Sequence, residues 1–189
     1  MIVVCLNGPP RCGKDTIGEM FRQMTDKKVE VLKFAEPVKL AAHAVSTLLQ
    51  GNREVMSMEH YTDLKDEPNL DFFGATPRKA YISMSEDYCK MLFGSDIFGV
   101  AMVNKIKSLT EVPDLVVITD CGFQEEVEVV SSCYDTRIIR IEREGCDYAH
   151  DSRNYLPDFK HTITNNTTPG RLRVAVAQIL AELEEELNV

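Results

Sequence analysis

The stretch Gly8-Pro9-Pro10-Arg11-Cys12-Gly13-Lys14-Asp15-Thr16 decides the fold of this 189-residue chain. It follows the apolar run Met1-Ile2-Val3-Val4-Cys5-Leu6 and opens into a segment of helical periodicity. That is the strand–loop–helix setting in which a G-x-x-x-x-G-K loop wraps a phosphate chain. Loop N–H groups and the positive end of the following helix favour an anion there. Gly8 and Gly13 allow the turn and the close approach of backbone to phosphate. Lys14 reaches the terminal phosphates as a point charge. The motif therefore implicates Gly8, Arg11, Cys12, Gly13, Lys14, Asp15 and Thr16 in nucleotide binding. The bland alternative is a glycine-rich turn that merely begins a helix. Asp15 stands where a Ser or Thr usually supplies a hydroxyl to Mg²⁺, and a carboxylate is also a competent hard-cation ligand.

Outward from the loop, strands and helices alternate. Lys14 to about Met24 predicts a helix with Ile17, Met20, Phe21 and Met24 as its apolar stripe. Val29 to Phe34 reads as a second strand, and Pro37 opens a helix to about Leu49. Residues 50–75 lack one clean period and read as a partly helical insertion or flap. Thr76-Pro77 is a helix start, and Asp96 to about Leu109 is another helix. Asp114 to Asp120 is the clearest buried strand. Phe123 to Val130 follows as a helix with Glu125, Glu126 and Glu128 on its wetter side. Thr136 to Ile141 and His161 to Thr164 complete the strands. Thr168-Pro169 starts a final helix to about Leu187, with Leu172, Val176, Ile179, Leu180 and Leu183 facing inward.

This alternation predicts an α/β fold, a three-layer sandwich around a mainly parallel five-stranded sheet. Residues 1–189 read as a single domain, with a helical insertion at about 36–110 and a short lid at about 143–158. Ligands collect beyond the carboxyl ends of the strands in such a fold, where Gly8, Asp120 and Arg143 all fall.

Composition narrows the partners. A net charge of −9 argues against a nucleic-acid binder, whose affinity rests on neutralising phosphates. A small anionic substrate stays compatible, because a few local cations can dominate a cleft. No apolar run reaches bilayer-spanning length, and no signal peptide is evident. The cysteines at 5, 12, 89, 121, 133 and 146 show no zinc-type spacing. They read as reduced thiols of a cytoplasmic protein, with Cys12, beside Lys14, the thiol conjectured to be sensitive to oxidation. The four histidines show no metal-ligand spacing either.

Several segments, taken in order, resemble the bacteriophage deoxynucleoside monophosphate kinases, a P-loop group of nucleoside-monophosphate-kinase type. Gly13-Lys14-Asp15-Thr16 matches that family's G-K-D-T loop. Phe34-Ala35-Glu36-Pro37-Val38-Lys39 is similar to its F-A-D-P-L-K segment, and Thr76-Pro77-Arg78 to its T-P-R helix start. Thr119-Asp120-Cys121-Gly122-Phe123-Gln124-Glu125-Glu126 resembles T-D-V-R-F-x-x-E. His150-Asp151-Ser152 and Asn165-Asn166-Thr167-Thr168 resemble later elements. Two positions depart: Gly122 replaces the family's arginine, and Arg153 stands where H-x-S-E has glutamate.

The resemblance implies ATP-dependent phosphorylation of a deoxynucleoside monophosphate, in the host cytoplasm if the protein is viral, and is compatible with a homodimer. ATP is the expected donor, Mg²⁺ the expected metal, and Asp15, Thr16 and Asp120 its expected protein-side ligands. Lys39, Arg78 and Asp120 are the substrate-side candidates. For Arg78 the placement in a first helical turn, where a cation opposes the dipole, is a second indication. Asp120 has an alternative as an N-cap of the following helix. Arg143 is the candidate for transition-state charge, with an ion pair to Glu142 or Glu144 as its alternative. Asn165 is expected near the adenine, or in a turn before the last helix. Competing functions are a kinase of another small acceptor, such as dephospho-coenzyme A or a nucleoside, and a non-catalytic nucleotide switch.

Overall fold

The structure is a computed structural model that describes residues 1–51, 64–149 and 151–188. The core is built on five strands: β1 (Ile2–Asn7), β2 (Val29–Leu32), β3 (Leu115–Cys121), β4 (Asp135–Glu142) and β5 (His161–Thr164). They run parallel in the order β2-β3-β1-β4-β5. β1 is wholly buried, as its unbroken apolar run demands of a central parallel strand.

Because side chains alternate across a strand, Ile2, Val4 and Leu6 face one layer and Val3, Cys5 and Asn7 the other. The first layer holds α1 (Lys14–Gln23) and the long C-terminal helix α6 (Pro169–Leu187). Ile17, Met20 and Phe21 of α1 join Leu172, Val176, Ile179, Leu180 and Leu183 of α6 in one apolar cluster over Leu115, Val117, Ile139 and Ile163. On the opposite side lies α5 (Gln124–Cys133), burying Val127 and Val130. Helix α4 (Ile97–Lys107) packs on α5 where Gly99 meets it. A Cβ at Gly99 would lie 2.6 Å from the Glu126 carbonyl, so the glycine permits the approach. The result is the expected α/β sandwich with the phosphate-loop motif at the β1–α1 turn.

The chain divides into two compact units, residues 1–34 with 99–189, and residues 35–98. The sheet and its layers form the first. The second contains α2 (Glu36–Leu49), a 3₁₀ turn at Leu70–Phe72, and α3 (Pro77–Ser83), which continues through a π-helical stretch, Met84–Lys90. Phe72 packs with Ala42 and is flanked by Ala75, Ala80 and Tyr81, and the Tyr81 hydroxyl meets His43 Nε2 at 2.8 Å. Thr76 caps α3 by accepting from the Lys79 N–H, as its sequence predicts.

Two expectations need correction. β2 ends at Leu32, two residues early, because the chain at Phe34 leaves the ladder and donates its N–H to Asp120. Glu126 lies not on the wet side of α5 but buried, at 3% exposure, beneath α4. Of residues 50–75, the described part carries a helical residue at Leu64, turns, and the 3₁₀ segment Leu70–Phe72; residues 52–63 and His150 lie outside the described residues. No helix among the described residues is long and apolar enough to cross a membrane.

Candidate functional site: a braced phosphate loop

The loop between β1 and α1 is held from outside by its carbonyls. Lys14 Nζ folds back to donate to the carbonyls of Gly8 and Pro9, the latter at 2.7 Å. Arg143 Nη1 donates to the Arg11 carbonyl at 3.2 Å, and Asn165 Nδ2 to the Cys12 carbonyl at 2.8 Å. Across a planar trans peptide, carbonyl and following N–H point in opposite directions. Fixing the Cys12 carbonyl on Asn165 therefore turns the Gly13 N–H the other way. The first N–H groups of α1 add to it, since helix geometry leaves them without intrahelical partners. Pro9 and Pro10 contribute no donors, so the anion-facing set begins beyond them.

Two residues of the loop adopt left-handed backbone, Gly13 at φ 101° and Arg11 at φ 65°. Gly13 is forced twice over, because a Cβ there would also collide with Asn165 Nδ2. At Gly8 a Cβ would lie 2.5 Å from the Ile141 carbonyl and 2.7 Å from Cys12 Sγ. The glycines thus let the loop nest against β4 and against Asn165, beyond allowing the turn itself.

Asp15 lies at the start of α1, its side chain largely exposed. It accepts from Thr119 Oγ1 at 2.7 Å and pairs with Lys33 at 2.8 Å, stitching the loop to the end of β3. Burial works against the charge, but the Lys33 and Thr119 hydrogen bonds and the neighbouring lysine charges outweigh it. The carboxyl is held below its ordinary value. A depressed carboxylate stabilises the fold above its unfolded value and loses that contribution as pH falls through its folded value. Lys33→Ala is thus expected to lower stability at pH 7 by no more than about 1 kcal/mol, given the exposure. The difference from wild type should vanish below the carboxylate range, as urea midpoints at pH 7 and in acid would show.

Asp120 does not cap α5, whose N-cap is Phe123. Its Oδ1 instead accepts the Phe34 N–H at 2.8 Å. Cys12 is fully buried, and burial pushes its thiol above the ordinary value although Lys14 Nζ lies 3.6 Å from Sγ. A thiol held protonated is a poor nucleophile. Arg143 makes its hydrogen bond to the loop; among the described residues no ion pair to Glu142 or Glu144 is formed.

The structure thus gathers Gly8, Arg11, Cys12, Gly13, Lys14, Asp15, Arg143 and Asn165 around one loop, with Thr16 exposed on the next helical residue and Asp120 one residue beyond Thr119. Lys39 and Arg78 belong to the second unit. There Lys39 Nζ lies 6.0 Å from the Tyr81 ring centre, and Arg78 pairs with Asp66 through two nitrogens.

No protein-family model matches the chain, and no curated protein matches it. Among solved structures it is similar to the shikimate kinase of Aquifex aeolicus, at 15% identity over 97% of each chain and a TM-score of 0.41. A gluconokinase of Sinorhizobium meliloti matches at 12% identity over 99% of this chain and 94% of that one, TM-score 0.43. A sugar kinase of a Janibacter species matches at 10% identity over 98% and 96%, TM-score 0.42.

Sequence reasoning missed Asn7. It ends β1, is fully buried, and lies within 3.0 Å of the Cys121 and Asn154 carbonyls through Nδ2. Nδ2 is also 3.3 Å from the Tyr148 hydroxyl, and Oδ1 accepts the Leu156 N–H at 3.0 Å. One amide thereby ties residues 148–156 to the ends of β1 and β3. The signal was there in principle, as a lone polar residue closing an apolar strand.

Proposed function

We propose that the protein transfers the terminal phosphoryl group of ATP to a small acceptor, with deoxynucleoside monophosphates as the first class to test. The observation that carries this reading is the G-x-x-x-x-G-K loop at the β1–α1 turn, whose carbonyls are held by Lys14, Arg143 and Asn165 while the Gly13 N–H is turned away from the braced Cys12 carbonyl, the side on which an anion would bind. Loop N–H groups would hold the phosphate chain and Lys14 would turn from its carbonyls to the β- and γ-phosphates. Arg143, already on the loop, would meet the charge that builds on the transferred group.

The donor chemistry at the helix start fits Mg²⁺, which takes one or two protein oxygens and leaves its remaining positions to phosphates and water. Asp15 offers an ionised hard oxygen, and Thr16 and Asp120 are the further oxygen donors the sequence puts forward for the metal. Mg²⁺ bound there would neutralise phosphate charge and align donor with acceptor. The acceptor oxygen attacks the γ-phosphorus, the bond to the β–γ bridging oxygen breaks, and ADP leaves. A monophosphate acceptor is already anionic and needs little help from a base.

The ordered resemblance through Phe34–Lys39 and Thr76–Arg78 supports a nucleotide acceptor. The loop itself serves any small acceptor equally well, because its contacts lie on the donor side. The test is incubation with Mg·ATP and each common deoxynucleoside monophosphate, the ribonucleotide set, deoxynucleosides, dephospho-coenzyme A, shikimate and gluconate, with products separated by chromatography. Diphosphates formed fastest from the deoxy set are the expected result. Phosphorylation of another acceptor would overturn the nucleotide assignment. ATP binding without transfer to any of them would leave a nucleotide switch.

A further inference from the structure

We propose that Arg153 binds a phosphoryl group at the end of β3, its guanidinium standing in the space that Gly122 leaves open. This inference rests on the phosphoryl-transfer reading and deepens it. Gly122 is buried, and a Cβ there would lie 2.5 Å from Arg153 Cγ and 2.6 Å from its Cβ. The arginine stem therefore lies directly on the Gly122 backbone, where no other residue at 122 would admit it. The main chain around it is fastened on both sides: the Asn154 N–H donates to the Gly122 carbonyl at 3.2 Å, and Asn7 holds Asn154 and Leu156.

The guanidinium is aimed rather than merely packed. Asp151 accepts from Nε at 2.8 Å and from Nη2 at 2.6 Å, which fixes the plane of the fork and leaves Nη1 to another acceptor. About a quarter of the side chain is exposed, 23%, with the stem packed on Gly122. The location is the right one for phosphate. Asn7 pairs with Cys121 in the sheet, so Gly122 is level with Gly8, where the phosphate loop begins. The charge of Asp120, a candidate metal-side oxygen, is felt at the guanidinium. A planar fork with a free edge beside a phosphate loop is suited to bidentate phosphate recognition.

Two phosphoryl groups share this chemistry, the γ-phosphate of ATP and the acceptor's own phosphate, and calorimetry separates them. Wild type, Arg153→Met and Gly122→Ala would be titrated with ADP, a non-hydrolysable ATP analogue and deoxythymidine monophosphate, with Tm measured in parallel. Methionine keeps the stem over Gly122 and removes the guanidinium. ADP affinity should hold, while affinity for one of the other two falls roughly tenfold to a hundredfold, the scale of a charged hydrogen bond, with Tm nearly unchanged. Loss for the ATP analogue alone assigns the γ-phosphate; loss for the monophosphate alone assigns the acceptor. Gly122→Ala, which displaces the stem, should reproduce the loss, and the double variant should be no worse than Arg153→Met. Affinities unchanged in Arg153→Met, or a fall in Tm with affinities intact, would reduce Arg153 to a fastener of residues 148–156 and overturn the proposal. A wild-type protein that binds none of the three would overturn it as well. Altered affinities in a protein that transfers no phosphate would sink the kinase reading and leave the Arg153 site standing.

Discussion

Lys14→Ala is expected to lower kcat by roughly 10²–10³, the scale of removing one preorganised charge from a transition state. The lysine is 8% exposed, but its burial does not come from the apolar core: Nζ serves the Gly8 and Pro9 carbonyls. Alanine leaves those two oxygens without their donor, so the loop loosens as well as losing its charge. Nucleotide affinity should therefore fall along with kcat, while far-UV circular dichroism stays as in wild type. Lys14→Met restores most of the side-chain volume but neither the charge nor the donor, so any recovery over alanine reports packing alone. A kcat unaffected by either substitution would remove the loop from the mechanism.

Asn7→Ala should be the most destabilising single change outside the apolar core. The truncation leaves two carbonyls and the Leu156 N–H without this partner, the Cys121 and Leu156 bonds buried and the Asn154 bond partly so. Hydrogen bonds and unsatisfied buried groups of this kind sum to about 3–4 kcal/mol. For a chain of this size that corresponds to a fall in Tm of roughly 6–16 °C. Asn7→Asp should do no better, because a carboxylate can accept from Leu156 but cannot donate to the two carbonyls. Limited proteolysis should cut first within 148–156, the segment Asn7 fastens. A melting point within about two degrees of wild type would show that the segment is held by other means.

The readable parts of this fold are those whose cause is local. The apolar run before Gly8, the cap and proline at Thr168-Pro169, and the α6 stripe each carry their own periodicity or chemistry, and each appears where expected. Arg143, the candidate for transition-state charge, and Asn165, expected near the adenine, donate to the carbonyls of Arg11 and Cys12 in the loop. What stayed hidden depends on partners distant in sequence. Glu126 reads as a surface residue from its helix alone, but α4 packs on α5 there, with Gly99 pressed against the Glu126 carbonyl. The Gly122–Arg153 contact has no local trace at either position. Asp120 offered two roles by spacing, and its bond to the Phe34 N–H is a third that only the sheet topology creates.

The bracing of the phosphate loop also bears on when the protein becomes competent during synthesis. The nine-residue motif is made early, but Arg143 and Asn165, which set its carbonyls, lie more than 130 residues downstream. A ribosome-bound chain that stops short of β5 would display the motif with an untrained backbone. Such high sequence separation makes the loop a late-forming contact, and a ligand that selects the finished loop stabilises the whole sheet unit by mass action. Retention on an immobilised nucleotide would thus report completion of the unit, and nascent chains truncated before residue 165 should pass through unbound.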